Sequence, residues 1–507
     1  MRLNVLQNAK RNMFWGVLER LIITLLPFVV RTVFLNVLGA EILGLNGLFT
    51  SILNILNIAE LGFSNAVIYN MYKPIAQNDV DKVCALMKFY KKIYRIIGTI
   101  VFAAGLTVVP FLPRLINGTI PTGYNLYVLY SVNLFNTGIG YFLFAYKTCL
   151  LSVHQRNDIT SRVSLLMNVL TSALQIGILL TIKNYYVYVL IVPIITISTN
   201  VVNAVIATKM YPQYVCKGNL SKESTNAIKK NVLGLMIGKI CMVSRNSFDN
   251  IFLSAFLGLS TVAMYNNYYY IMSSIIGILG LANSAINAGV GNKVALNTVE
   301  QNHKDFQLVT FVYMWISGWC TICLLCLYQP FMRLWVGQEL MFPFIVVIQL
   351  CLYFYSLTMG DMRSIYSNSS GLFWQGRFYV IVEAVLNIIL NYVFGKKWGV
   401  YGIIAATNVT ILFINFIWGS LVLYKYYFVQ MSVKKYFLSH ACYAGVTITN
   451  AVLTYFITRI IPFEGLTGLI LKGMVCVVIP NAFYFLVYRN YHLFPQMIQL
   501  IRRVAAR

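Results

Sequence analysis

A recurring apolar window governs what this chain can become. Stretches of about 20 residues, long enough to cross a bilayer as a helix, return roughly every 35 residues, with charged or turn-forming residues between them. Fourteen can be read, at about 14–38, 42–67, 93–113, 124–150, 163–183, 187–208, 232–257, 262–290, 306–328, 343–366, 378–394, 400–423, 437–461 and 469–488. Of 507 residues, 59% are hydrophobic and 10% charged, where a soluble domain carries about 25% charged residues. No stretch is polar enough to fold alone in water. The expected fold class is an all-α polytopic membrane protein of about 14 transmembrane helices. The run from Phe14 to Leu38 is too long for the core of a secretory signal and reads as a retained first helix.

A net charge of +25 would suggest nucleic acid in a soluble protein. Its distribution argues otherwise. With the N-terminus inside, most of the 39 Lys and Arg fall in cytoplasmic connections and tails; only Arg114, Lys183, Arg333, Lys396, Lys397, Arg459 and Lys472 fall on the outer side. Cytoplasmic loops of membrane proteins carry such an excess, so the bias places both termini in the cytoplasm and requires no nucleic-acid partner. The most basic connection, 73–95, is expected to form a short interfacial helix. External connections are too short for a catalytic domain. Cys320, Cys323 and Cys326 fan around a helix with no His or acid beside them, so no metal and no other cofactor is expected.

An internal repeat is expected. A shift of 219 pairs Arg20 with Lys239, Gly39 with Gly258 and Asn168 with Asn387; a shift of 220 pairs Leu61, Ser64 and Lys73 with Leu281, Ser284 and Lys293. Six helices per half is an even number, so such repeats are parallel, related by a pseudo-two-fold along the membrane normal. The organisation expected is an N-terminal six-helix bundle (1–213), a cytoplasmic linker (214–231), a second six-helix bundle (232–430), and a C-terminal helix pair with a basic tail (431–507).

Four cations remain inside apolar spans: Arg20 and Arg31 in the first, Lys239 and Arg245 in the seventh. A charge at the bilayer centre costs at least about 2.5–3.5 kcal/mol, so it must face protein or water. Two readings compete. Glu19 or Glu60 neutralises Arg20, and Asp249, one turn from Arg245, neutralises it. Alternatively, the cations line a cavity that holds an anion, since Arg binds phosphate bidentately and Lys adds a point charge. Polar stripes on neighbouring spans, with Asn46, Asn54 and Asn57 in the second and Asn266, Asn267 and Asn283 in the eighth, suit sugar hydroxyls or helix–helix contact. Glu60 and Glu383 are candidates for ion coupling. Glu383 begins a helical stripe with Asn387 and Asn391 and reads more readily as a buried structural acid. The tyrosines of 265–270 suit sugar stacking or an interfacial aromatic belt. Asn117-Gly118-Thr119 fits a glycosylation pattern that is common by chance.

The segment LGAEILGLNGLFTSILNILNIAELGFSNAVIYNMYKPIAQND (38–79) resembles the start of bacterial polysaccharide transport proteins, the O-antigen and capsule-repeat flippases of the multidrug/oligosaccharidyl-lipid/polysaccharide exporter superfamily. Gly39, Gly44, Leu45, Phe49, Glu60-Leu61-Gly62 and Lys73-Pro74 carry the likeness, and KKIYRIIG (91–98) continues it. The resemblance implies two six-helix bundles around a central cavity lined by spans one, two, seven and eight. It implies passage of undecaprenyl-diphosphate-linked oligosaccharide from the inner to the outer leaflet of a bacterial inner membrane. Membrane lipids, a polysaccharide polymerase and chain-length proteins are the partners it suggests. Arg31 aligns with Asn250 in the second half, so the cationic arrangement is not symmetric.

A transporter rather than an enzyme is expected. A cation-coupled drug antiporter of the same superfamily needs acids deep in the cavity. The only deep acid in the four expected lining spans is Asp249, with Arg245 in reach. A membrane polymerase or glycosyltransferase needs a large external loop or an acidic metal motif, and neither is present.

Overall fold

A computed structural model describes residues 5–60, 63–118, 123–222, 225, 228, 243 and 245–505. All regular structure among them is helical: α1 (Val5–Leu56), α2 (Phe63–Ala76), α3 (Val80–Val108), α4 (Leu126–Phe142), α5 (Thr148–Val153), α6 (Asn157–Thr181), α7 (Tyr185–Met210), α8 (Leu259–Leu296), α9 (Val299–Trp335), α10 (Phe344–Met359), α11 (Asp361–Ser369), α12 (Phe373–Trp398), α13 (Val400–Val409), a π-helical segment (Thr410–Trp418), α14 (Gly419–Tyr426), α15 (Val433–Ile460), α16 (Gly465–Tyr488) and α17 (Phe494–Ala505). By length and composition, 11 of the described helices can cross a membrane, or up to 12 if the pair α4 and α5, bent by 45°, is one span. By packing, the chain divides into two compact units, Met1–Ala263 and Met264–Arg507.

At about 1.5 Å per residue, the 52 residues of α1 would reach about 78 Å, far beyond a hydrocarbon core of about 30 Å. The helix does not run straight. Gly39 has φ +84° and ψ 173°, conformations closed to L side chains, and it breaks the rod. Its expected repeat partner Gly258 has φ +86° and stands between the helical residues 245–257 and α8. Five residues past the first break, Gly44 meets the backbone of Leu259. A Cβ there would lie 1.8 Å from the Leu259 carbonyl oxygen. The offset of 219 recurs in the capping: Asp79 caps α3 and Thr298 caps α9, each side chain accepting a backbone N–H of the first turn.

Helix boundaries differ from expectation where local backbone chemistry intervenes. The basic stretch 73–95 does not form a separate interfacial helix. Asn78 in the left-handed region and the Asp79 cap turn the chain, and Lys82 through Arg95 become the first half of the 29-residue α3. The fourth window, 124–150, is broken at Phe144, also left-handed, into α4, a short 3₁₀ turn and α5. The second window is interrupted by the 3₁₀ turn Asn57–Glu60 before α2 begins. Asn117 is committed within the first unit: its backbone N–H donates to Ser254 O at 2.9 Å and its side-chain amide to Phe256 O at 2.6 Å. This ties the loop after α3 to the helix ending at 257; Thr119 of the glycosylation pattern lies outside the described residues.

Candidate functional site

The expected site residues distribute over both units. In the first, Arg20 is exposed on α1 and Arg31 half-buried, with its guanidinium within electrostatic reach of the Tyr188 hydroxyl on α7. Arg245 is buried at 6% exposure, and Asp249, one turn further along the same helix, is fully buried. Beside them Asn250 donates to Ser51 Oγ at 2.8 Å, pinning this helix to α1. Asn46 accepts from the Tyr185 hydroxyl at 3.3 Å, and Asn54 is exposed. Lys239 lies outside the described residues.

Glu60 does not serve Arg20. Its half-buried carboxylate accepts from two phenols, Tyr94 at 2.7 Å and Tyr141 at 2.8 Å. Tyr141 is also 2.9 Å from Asn57 Oδ1. Tyr90 extends the chain, 2.9 Å from the Tyr94 oxygen and 2.6 Å from Ser64. All three tyrosines are buried. A phenol has one proton to give, so Tyr141 serves Glu60 or Asn57, not both at once. The 3₁₀ turn makes this choice possible by placing Asn57 and Glu60 on the same side of the break.

The second unit carries a related arrangement. Asp361, the first residue of α11, accepts from Tyr313 in a short hydrogen bond and from Asn283 Nδ2 at 3.0 Å; Asn283 also donates to the Tyr313 oxygen at 3.1 Å. Tyr313 stands 219 residues after Tyr94, and the carboxylate comes from a different place in each unit, the 3₁₀ turn in the first and the start of α11 in the second. Of the remaining expected residues, Asn266 is half-buried and Asn267 fully buried on α8.

Glu383 is fully buried on α12 and accepts from Asn415 Nδ2 at 2.7 Å. Asn415 Oδ1 in turn accepts from Arg363 Nη2 at 2.7 Å, and Arg363 Nη1 donates to the Tyr379 hydroxyl at 2.9 Å. Arg363 is 1% exposed and packs against Gly419, where a Cβ would lie 2.3 Å from Nη1. The Asn415 amide thus links a buried cation to a buried acid. It comes from the π-helical segment, where an inserted residue re-aims side chains. Along the same stripe Asn387 donates to Thr407 at 3.1 Å and Thr410 at 3.3 Å, and Asn391 to Asn387 at 3.3 Å. This network fits the structural role for Glu383. Neither Arg363 nor Asp361 is singled out by the sequence reading, which assigns Arg363 to a cytoplasmic connection. Yet both lie within the window 343–366, and an acid and a base two residues apart inside an apolar window were the available signal. Of the tyrosines of 265–270, Tyr265 and Tyr268 are buried, with the Tyr268 hydroxyl donating to Gln329 at 3.1 Å, and Tyr269 and Tyr270 are half-buried.

Among solved structures, the chain is similar to the lipid II flippase MurJ in an inward closed conformation, at 14% identity, covering 94% of this chain and 99% of that one with a TM-score of 0.66. A multidrug resistance MATE transporter of the MOP superfamily, inward-facing, matches at 18% identity over 80% of this chain and 97% of its own, TM-score 0.60. A MOP superfamily transporter from Pyrococcus furiosus, described as having a binding pocket of reverse polarity, matches at 16% identity over 82% and 94%, TM-score 0.52. These likenesses show the fold. No curated protein matches the sequence significantly. The model of the family described as polysaccharide biosynthesis protein matches residues 9–286, more than half of the sequence. With its helices in the fold shared by MurJ and the MATE transporters, the chain belongs to the polysaccharide biosynthesis protein family.

Proposed function

We propose that this protein is a flippase carrying undecaprenyl-diphosphate-linked oligosaccharide from the inner to the outer leaflet of a bacterial inner membrane by alternating access. The observation that carries the reading is the buried Arg245, with Arg31 half-buried in the same unit of a family member. A guanidinium held in an apolar bundle suits a diphosphate, because bidentate charge-assisted hydrogen bonds offset its desolvation. Arg31, Arg245, Lys239 and Arg20 are the cations assigned to the diphosphate, and Asn46, Asn54, Asn57, Asn266, Asn267 and Asn283 the polar groups assigned to sugar. Fourteen crossings follow if the Gly39 break separates two of them and the span 232–257 is another. Both termini then face the cytoplasm, and the bundles of 1–213 and 232–430 form the moving halves.

Replacing Arg245 by Ala tests the reading. The variant should insert normally and weaken binding of the diphosphate at least about tenfold, a loss of about 1.4 kcal/mol, read as lowered surface polysaccharide, with partial rescue by Arg245→Lys. Normal export by an inserted Arg245→Ala variant would remove Arg245 from the diphosphate site.

A second reading, a cation-coupled antiporter, is favoured by one observation: the chain holds two carboxylates inside its apolar windows, Glu60 between two phenols and Asp361 between a phenol and an amide. The two readings meet if these acids couple ion flow to lipid export.

A further inference from the structure

Few basic residues fall on the outer side of the chain, and three of the seven converge. Arg333 near the end of α9, Arg459 near the end of α15 and Lys472 in the third turn of α16 line one cavity of about 360 Å³ in the second unit. More than a hundred residues separate Arg333 from the other two. A volume in the range of about 300–1,000 Å³ is typical of ligand pockets. Helix dipoles account for part of the pattern, since cations favour the C-terminal ends where Arg333 and Arg459 sit. They do not account for Lys472, half-buried near the start of its helix. One carboxylate answers three cations: Glu464 Oε1 is 3.2 Å from Arg333 Nη1. Among the described residues no acid forms an ion pair with Arg459 or Lys472.

The rest of the cavity is apolar in effect. Gln329 on its floor is already committed, donating to Phe342 O at 2.7 Å and accepting from Tyr268. Thr458 donates to the backbone of its own helix at 2.8 Å. The wall continues outward through Leu334 and Phe463, which are 46% and 56% exposed. In a membrane those faces meet hydrocarbon. A ligand that fits has a phosphate at one end and an acyl or prenyl chain at the other. We infer that this cavity between α9, α15 and α16 binds a phosphate-bearing anionic lipid, its headgroup on Arg459 and Lys472 and its chain along the apolar wall.

The test uses the full-length protein in nanodiscs of phosphatidylcholine with or without phosphatidylglycerol, read by native mass spectrometry for retained lipid and by thermal unfolding. Wild type should retain phosphatidylglycerol in preference to phosphatidylcholine and gain thermal stability from it. The double variant Arg459→Gln, Lys472→Gln should lose retention at least tenfold. Lys396→Gln with Lys397→Gln removes the same charge from the same side, away from the cavity, and should change nothing. Leu469→Trp keeps every charge but fills the space, and should also abolish retention. Equal retention by wild type and the cavity variants, or an equal loss in the Lys396/Lys397 control, overturns the proposal. So does an identical thermal shift from inorganic phosphate alone, which would make the ligand a free anion. Lipid retention is read without transport, so a failed export assay leaves this result standing.

Discussion

Glu60 shows what a single residue can and cannot reveal in sequence. Its place inside the second window marks it as an acid needing a partner, and Arg20 is the obvious one because both are expected near the cytoplasmic end of their spans. The actual partners, Tyr94 and Tyr141, lie 34 and 81 residues away and look in sequence like ordinary membrane aromatics. Hydrogen bonds to a charged group contribute about 1.5–3 kcal/mol each. Tyr94→Phe and Tyr141→Phe should each lower the unfolding temperature of the detergent-solubilised protein, with Tyr94→Phe the more costly because its hydroxyl also accepts from Tyr90. Glu60→Gln keeps the shape and removes the exchangeable charge. If Glu60 couples an ion, this variant should insert normally but lose the dependence of export on external pH. An unchanged pH profile in Glu60→Gln would assign the cluster to stability alone.

At the scale of elements, the apolar windows were legible because a bilayer imposes their length. Their interruptions were not. The 3₁₀ turn at Asn57–Glu60, the left-handed Phe144 and the π-helical segment Thr410–Trp418 are set by tertiary packing, and hydropathy is blind to them. Glycines were more informative. Gly39, Gly44 and Gly258 stand out in the repeat or in the family likeness, and each has a physical reason: two positive-φ breaks and one backbone contact. Because Leu259 meets Gly44 through its main chain, no side-chain rotation can relieve a clash. Overpacking of side chains costs about 1–3 kcal/mol, and a backbone clash exceeds that. Gly44→Val should therefore abolish accumulation of folded protein, seen as loss of the monodisperse peak after solubilisation. Gly177→Val, in open space on α6, serves as the control and should accumulate normally. Wild-type levels of Gly44→Val would show that this contact does not hold α1 against the start of α8.

For the molecule as a whole, an all-helical membrane fold followed from window length, and the family from the likeness carried by residues 38–79 and 91–98. A lining of buried groups did not follow so readily. Arg363 and Asp361 escaped because they sit at the end of a window, where a charge is easily assigned to the adjoining loop. The charge bias itself makes a prediction about orientation. Cysteines introduced at Gln77 or Lys217 should be shielded from a membrane-impermeant reagent added to intact cells, while ones at Gly118 or Gln338 should react. The reverse labelling would invert the topology and with it the direction of transport. The central claim concerns the cargo, and the most direct measurement is a reconstituted one. Purified protein in liposomes carrying undecaprenyl-diphosphate-linked oligosaccharide in one leaflet should render that lipid accessible to a probe on the opposite side, and the Arg245→Ala protein should not. Lipid that stays in its original leaflet with correctly inserted wild-type protein, together with protein-dependent movement of a cationic drug, would contradict the flippase account and favour the antiporter.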